Sequence, residues 1–136
     1  MKVDSVSHIT FVVNDIDRMT QFLCEGLGAK EIFDNKDIDI QAPREKFFVL
    51  GDTWLAAIVG NSPVDRTYQH VAFKVSSSDL RQFELRLRAL GVDIKPPRPR
   101  VEGESESLYF YDFDNHLFEL HTGTLNQRLQ VYADQG

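Results

Sequence analysis

One cysteine, Cys24, is all that the 136 residues contain, so no disulfide closes within the chain. Small extracellular domains usually carry a disulfide framework. Its lack suits a reducing compartment and points to the cytoplasm. Long apolar runs are missing too. The opening stretch MKVDSVSHITFVV is broken by Asp4, Ser5, Ser7 and His8, and fits neither a signal peptide nor a membrane span. Nor is there an excess of basic residues: 15 Lys and Arg stand against 21 Asp and Glu, a net charge of -6. General nucleic-acid binding needs a basic face and is excluded, although a local arginine cluster can still hold a small anion. What is present is ordinary globular usage, 42% hydrophobic and 26% charged, in a length that suits one domain, 1–136, with its own core.

The chain repeats itself. Ser7-His8-Ile9-Thr10-Phe11-Val12-Val13 matches Gln69-His70-Val71-Ala72-Phe73-Lys74-Val75, and the two histidines lie 62 positions apart, 8 to 70. Both segments alternate and are rich in β-branched and aromatic residues, so each reads as a strand. A helix follows each. The first runs from about Ile16 to Gly26, with Ile16, Met19, Phe22 and Leu23 on one stripe. The second runs from about Asp79 to Leu90, with Leu80, Phe83, Leu87 and Leu90. Asp15 and Ser78 are the expected N-caps, and Gly28 and Gly91 the expected stops.

Three strands then follow in each half: Glu31 to Phe33, Phe47 to Leu50 and Leu55 to Val59, then Asp93 to Lys95, Leu108 to Tyr111 and Leu117 to His121. Gly51-Asp52 and Asp114-Asn115 supply the hairpin turns. The spacing therefore predicts an α+β fold of two βαβββ modules, about 5–60 and 67–122, with a tail at 123–136. Half a chain of this size buries little by itself. The two modules are expected to form a curved mixed sheet, and a homodimer is expected because two chains can share or exchange modules.

His8 and His70 occupy the same place in their modules, so symmetry brings them to related positions. In the closing strand, period two puts Leu117, Glu119 and His121 on one face. A carboxylate between Phe118 and Leu120 is costly to bury without a partner, and a metal ion is the natural one. Two imidazoles and a carboxylate form a mixed site that suits Mn, Fe, Zn or Ni. With Leu55 aligned to Leu117, the first module offers Ala57 in place of Glu119, so a fourth symmetric ligand is missing. Positions left open for water or substrate mark a catalytic rather than a structural site. His121 competes with Glu119 for the third ligand position. Glu119 is favoured, with His121 at the surface or behind it, and His116 is read as a packing residue of its turn.

The paired strand histidines, the duplicated module and the run Asp112-Phe113-Asp114-Asn115-His116-Leu117-Phe118-Glu119-Leu120-His121 resemble the vicinal oxygen chelate superfamily over essentially the whole chain. Within it, five segments look most like the fosfomycin hydrolases of the FosX type. They are Glu45-Lys46-Phe47-Phe48, Arg66-Thr67-Tyr68-Gln69-His70, Arg98-Pro99-Arg100-Val101, Leu108-Tyr109-Phe110-Tyr111-Asp112-Phe113-Asp114 and His121-Thr122-Gly123-Thr124-Leu125.

The resemblance implies Mn(II), with other divalent metals possible, held by His8 from one chain and His70 and Glu119 from the other of a domain-swapped homodimer. It implies Glu45 as general base. Read locally, Glu45 is a loop glutamate between two cations, just before a strand. It further implies substrate contacts at Thr10, Trp54, Tyr68, Ser107, Tyr109 and Arg128, with Arg98 or Arg100 nearby. The stretch Glu102-Gly103-Glu104-Ser105-Glu106 departs from the phosphonate loop of the thiol-transferring relatives.

The implied substrate, fosfomycin, is an epoxide bearing a phosphonate. Its hydration to a diol needs a Lewis acid for the ring oxygen, cationic forks and hydroxyls for the phosphonate, and a base for the water. Thiol transfer, metal-free sequestration of a drug and a different metalloenzyme reaction are the alternatives.

Overall fold

A computed structural model of the chain describes residues 1–38, 41–97 and 105–135. The chain divides into two units. The first comprises Met1–Arg66 with Asp112–His116, and the second Thr67–Tyr111 with Leu117–Gly136.

In the first unit the elements are β1 (His8–Val13), α1 (Ile16–Gln21) running into a π-helical turn (Phe22–Gly26), β2 (Lys30–Asp34), β3 (Glu45–Leu50) and β4 (Thr53–Val59). The strands form a mixed sheet in the order β1-β4-β3-β2, with β1 parallel to β4 and the other pairs antiparallel. Asp15 caps α1 as expected, its carboxylate accepting the N–H groups of Asp17 and Arg18. Gly28, at φ +80°, takes the left-handed conformation that turns the chain out of the helix.

Alternation sorts the sheet into two faces. Phe11, Val13, Phe48, Leu55 and Ala57 are buried, on the face where α1 packs against β4 and the π turn against β2. Lys46 shares that face and is 6% exposed. Its ammonium is satisfied by Glu31 at 2.6 Å and the Thr20 hydroxyl at 3.0 Å. The opposite face carries His8, Thr10 and Val12 beside Trp54, Ala56 and Ile58, then Val49, Phe47 and Glu45.

The second unit holds β5 (His70–Lys74), α2 (Ser77–Ala89), β6 (Asp93–Ile94), β7 (Ser107–Tyr111), β8 (Leu117–His121) and α3 (Leu125–Gln135). Its sheet runs β5-β8-β7-β6, again with one parallel pair, β5 and β8. Phe73 and Phe110 stack on Phe118 at centroid separations of 6.4 and 6.0 Å, and Leu87 of α2 is fully buried. Each module thus builds its own four-stranded mixed sheet, the α+β arrangement expected.

Four details differ from expectation. Strand β3 begins at Glu45 rather than Phe47, so Glu45 is a strand residue paired with Ile58 and not part of a loop. The N-cap of α2 is Ser76, not Ser78. The tail after Gly123 forms α3, opened by a reciprocal cap. Thr124 Oγ1 accepts the Gln127 N–H at 3.1 Å, and Gln127 Oε1 accepts the Thr124 N–H at 2.9 Å.

The fourth is a slip of one residue in the repeat. Thr10 lies opposite Ala56 as Ala72 lies opposite Glu119, so the counterpart of Glu119 is Ala56, 63 positions earlier, and not Ala57. Because side chains alternate, that slip puts Ala57 on the helix-covered face. The first module still has no carboxylate at this place.

Candidate metal and substrate site

The second unit brings together five of the expected site residues, Tyr68, His70, Ser107, Tyr109 and Glu119, the last four through the register of three strands. His70 and Glu119 stand on one face of β5 and β8, and Ser107 and Tyr109 on the same face of β7, opposite His121 and Glu119 respectively. His70 Nε2 is 3.1 Å from Glu119 Oε1. On the far side of the ring, His70 Nδ1 is 2.7 Å from the Tyr68 carbonyl oxygen. A carbonyl only accepts, so Nδ1 carries a proton and Nε2 is the nitrogen left to bind an ion beside Glu119. Tyr68 also stacks on the His70 ring, at 4.9 Å between centroids and 19° between planes, which fixes its orientation.

Glu119 is 6% exposed. Its other oxygen, Oε2, accepts from the Ser107 hydroxyl at 2.7 Å and lies 3.3 Å from His121 Nδ1. Ser107 Oγ is in turn 2.7 Å from His121 Nδ1. The hydroxyl of Tyr109 meets that of Tyr68 at 3.4 Å. Burial, the Tyr68 hydrogen bond and the nearby Glu119 charge push the Tyr109 phenol well above its usual pKa. Tyr109 therefore stays protonated and able to donate. A cavity of about 350 Å³ lies alongside, lined by Tyr68, Ser107, Tyr109, Lys95 and Arg88 but by neither His70 nor Glu119.

In the first unit, the His8 ring lies tilted against Trp54 at 4.2 Å between centroids, and its Nδ1 is 3.0 Å from Ser7 Oγ. Thr10 lies two residues along on the same exposed face. Glu45 shares that face across β4. Asn35 pins the Glu45 backbone, accepting its N–H at 2.9 Å and donating to its carbonyl at 3.1 Å. The flanking cations are engaged elsewhere, Arg44 with Asp34 at 2.8 Å and Lys46 with Glu31. Glu45 is thus a carboxylate without a cation of its own among the described residues, not one neutralised by its neighbours.

Arg128 sits exposed on α3, where its Nε donates to the Tyr132 hydroxyl at 3.0 Å. Arg98 and Arg100 lie outside the described residues. His116 proves to be a turn residue, its Nδ1 2.7 Å from Asp112 Oδ2 and its ring edge-on to Phe11. The engagement of Ser107 with Glu119, and of His121 with both, was not part of the expected site. The signal for it is the β7–β8 hairpin register, which sets Ser107 directly across from His121.

Two donors 3.1 Å apart, one a neutral imidazole nitrogen and one a carboxylate oxygen, suit adjacent positions around a divalent ion. An octahedral ion with bonds near 2.1 Å places neighbouring donors about 3 Å apart. Among the described residues of one chain, no three His, Cys, Asp or Glu side chains gather in metal-holding geometry. The structure therefore supplies a half-set at His70 and Glu119, and a separate exposed imidazole at His8.

The sequence profile of the Glyoxalase/Bleomycin resistance protein/Dioxygenase superfamily matches residues 5–120, and the chain belongs to that superfamily. It is 47% identical to the fosfomycin resistance protein FosX of Listeria monocytogenes, over 97% of this chain and 99% of that one. The crystal structure of FosX from Mesorhizobium loti superposes with a TM-score of 0.87 at 43% identity, covering 95% of this chain and 99% of that one. A point mutant of the Listeria monocytogenes protein, complexed with Mn(II) and 1S,2S-dihydroxypropylphosphonic acid, superposes at 0.86 with 46% identity, covering 96% and 99%.

Proposed function

We propose that this protein is a Mn(II)-dependent epoxide hydrolase that adds water to fosfomycin, giving the inactive diol and with it antibiotic resistance. The observation that carries the reading is the His70–Glu119 pair, oriented by Tyr68 and Ser107 and spaced for neighbouring positions on one ion. It is supported by the similarity to a FosX structure that holds Mn(II) and a dihydroxypropylphosphonate.

His8, His70 and Glu119 would hold the metal. His8 comes from one subunit of a homodimer and His70 and Glu119 from the other. When bound, the ion supplies a Lewis acid that draws charge onto the epoxide oxygen. Glu45 takes a proton from water as it attacks a ring carbon from the side opposite the departing oxygen. The new C–O bond forms as the ring C–O bond breaks, the departing oxygen takes a proton from solvent water to become the second hydroxyl, and Glu45 returns its proton to solvent. Tyr109, kept as a phenol, donates to the phosphonate, and Arg128 with Arg98 or Arg100 supplies its countercharge. Thr10 and Trp54 flank His8, and Tyr68 backs His70, so these three shape the walls around the epoxide.

No described helix is long and apolar enough to cross a membrane. With Cys24 as the only cysteine, we place the protein in the cytoplasm.

Turnover of fosfomycin with Mn(II) in ¹⁸O-labelled water tests this function. The expected product is a diol carrying one label, formed at the same rate with or without added thiol. A thiol adduct, or unaltered fosfomycin released stoichiometrically on denaturation, would replace hydration by transfer or by sequestration.

A further inference from the structure

Resting on the proposed metal site, we infer that His121 and Ser107 are positioning residues that lock the Glu119 carboxylate. They hold its outer oxygen so that the inner one faces the ion. Ser107 Oγ lies 2.7 Å from both Glu119 Oε2 and His121 Nδ1. A serine hydroxyl has one hydrogen, and an ionised carboxylate can only accept, so that hydrogen goes to Glu119. The serine oxygen must then accept from His121, which fixes the imidazole with its proton on Nδ1. His121 Nδ1 also lies 3.3 Å from Glu119 Oε2. The ring's other nitrogen, Nε2, is 3.5 Å from Ser105 Oγ.

The backbone holds this arrangement in register. Ser107 and His121 are direct partners across β7 and β8, and Glu119 sits two residues from His121 on the same face. Gly123 closes the ring's other side. A Cβ added there would meet His121 Nε2 at 2.8 Å and Ser105 Oγ at 2.5 Å. The relay runs one way, from His121 N–H to Ser107 O–H to Glu119 Oε2. Glu119 Oε1 is left to face His70 Nε2 at 3.1 Å. With Oε2 engaged by Ser107, the carboxylate presents Oε1 to the ion. In this arrangement the single proton of Ser107 is directed to Glu119.

The test is Mn(II) affinity by calorimetry and electron paramagnetic resonance, on the wild type and on His121→Phe, His121→Asn, Ser107→Ala and the double variant His121→Phe/Ser107→Ala. Partners that orient a ligand typically contribute about 10–100-fold in metal affinity. His121→Phe and Ser107→Ala should each lose affinity in that range. The double variant should lose little more than either, because both break one relay. His121→Asn, which keeps an N–H near the Nδ1 position, should recover most of the loss. In metal-free protein, ¹⁵N spectra should show the His121 proton on Nδ1.

Unchanged affinity in His121→Phe, additive losses in the double variant, or a proton on Nε2 would overturn the inference. Failure of the metal site itself reads differently: wild type and His70→Ala would then be alike in binding no Mn(II). Thermal unfolding of each variant shows whether a loss is local, and the asparagine rescue separates positioning from packing.

Discussion

Replacing Glu45 by glutamine removes one proton acceptor and little else. The two side chains have the same shape, and the backbone at this position is pinned independently by both hydrogen bonds to Asn35. Neither flanking cation depends on Glu45, since Arg44 pairs with Asp34 and Lys46 with Glu31. The fold and thermal stability should therefore be unchanged within about 0.5 kcal/mol, the range for substitutions that touch no specific feature.

Chemistry is another matter. A positioned general base typically contributes about 10²–10⁴-fold, or roughly 2.7–5.4 kcal/mol of barrier. Steady-state hydration of fosfomycin by Glu45→Gln should lose kcat by that factor. Mn(II) affinity should stay at the wild-type value, because Glu45 is not among the proposed donors. A variant that retains kcat within a few-fold would refute Glu45 as the base. One that loses Mn(II) as well would instead make it a ligand.

Gly123→Ala places a methyl against Ser105 and the His121 ring, at distances real side chains do not tolerate. It should cost about 1–3 kcal/mol of stability by overpacking, read by denaturant unfolding, and weaken Mn(II) binding as His121 shifts. The Asp34–Arg44 pair makes a separate, acid-range prediction. The Arg44 guanidinium holds the Asp34 carboxyl down at about 2, below its ordinary 3.8. A depressed folded-state value gives stabilisation that is present above pH 3.8 and lost as pH falls toward 2. Asp34→Asn should lower stability modestly at neutral pH, flatten that part of the stability–pH curve and converge with the wild type toward pH 2, the loss staying small because solvent screens this part-buried pair. An unchanged acid limb would contradict the pairing.

The features legible in the sequence were those written in local patterns. Alternation around His8 and His70 gave β1 and β5, Asp15 gave the start of α1, and Leu117–His121 came out with its observed bounds. What escaped depends on contacts distant in the chain. Strand β3 was expected to start at Phe47, yet it includes Lys46, which lies on the covered face. The partner of Lys46, Glu31, is on β2, beyond any local window. Aligning Leu55 with Leu117 gave Ala57 as the symmetric position, while the strand pairing gives Ala56, and one residue is enough to exchange faces.

Helix α3 was legible and missed. Thr124 and Gln127 have the spacing of a reciprocal cap, but the segment buries no side chain and its apolar pattern carried no weight. At the site, His70 and Glu119 were found because imidazole and carboxylate stand out on apolar strands. The meeting of Ser107 with His121 and Glu119 was not anticipated because it is a property of hairpin register, which side-chain type does not encode.

The central claim is that His8, His70 and Glu119 together hold one catalytic ion. Titrating Mn(II) into the metal-free protein and into His8→Ala, His70→Ala and Glu119→Ala tests it most directly. The account predicts one tight Mn(II) per chain in the wild type and loss of that site in each of the three variants. Wild-type affinity in any one of them would contradict it.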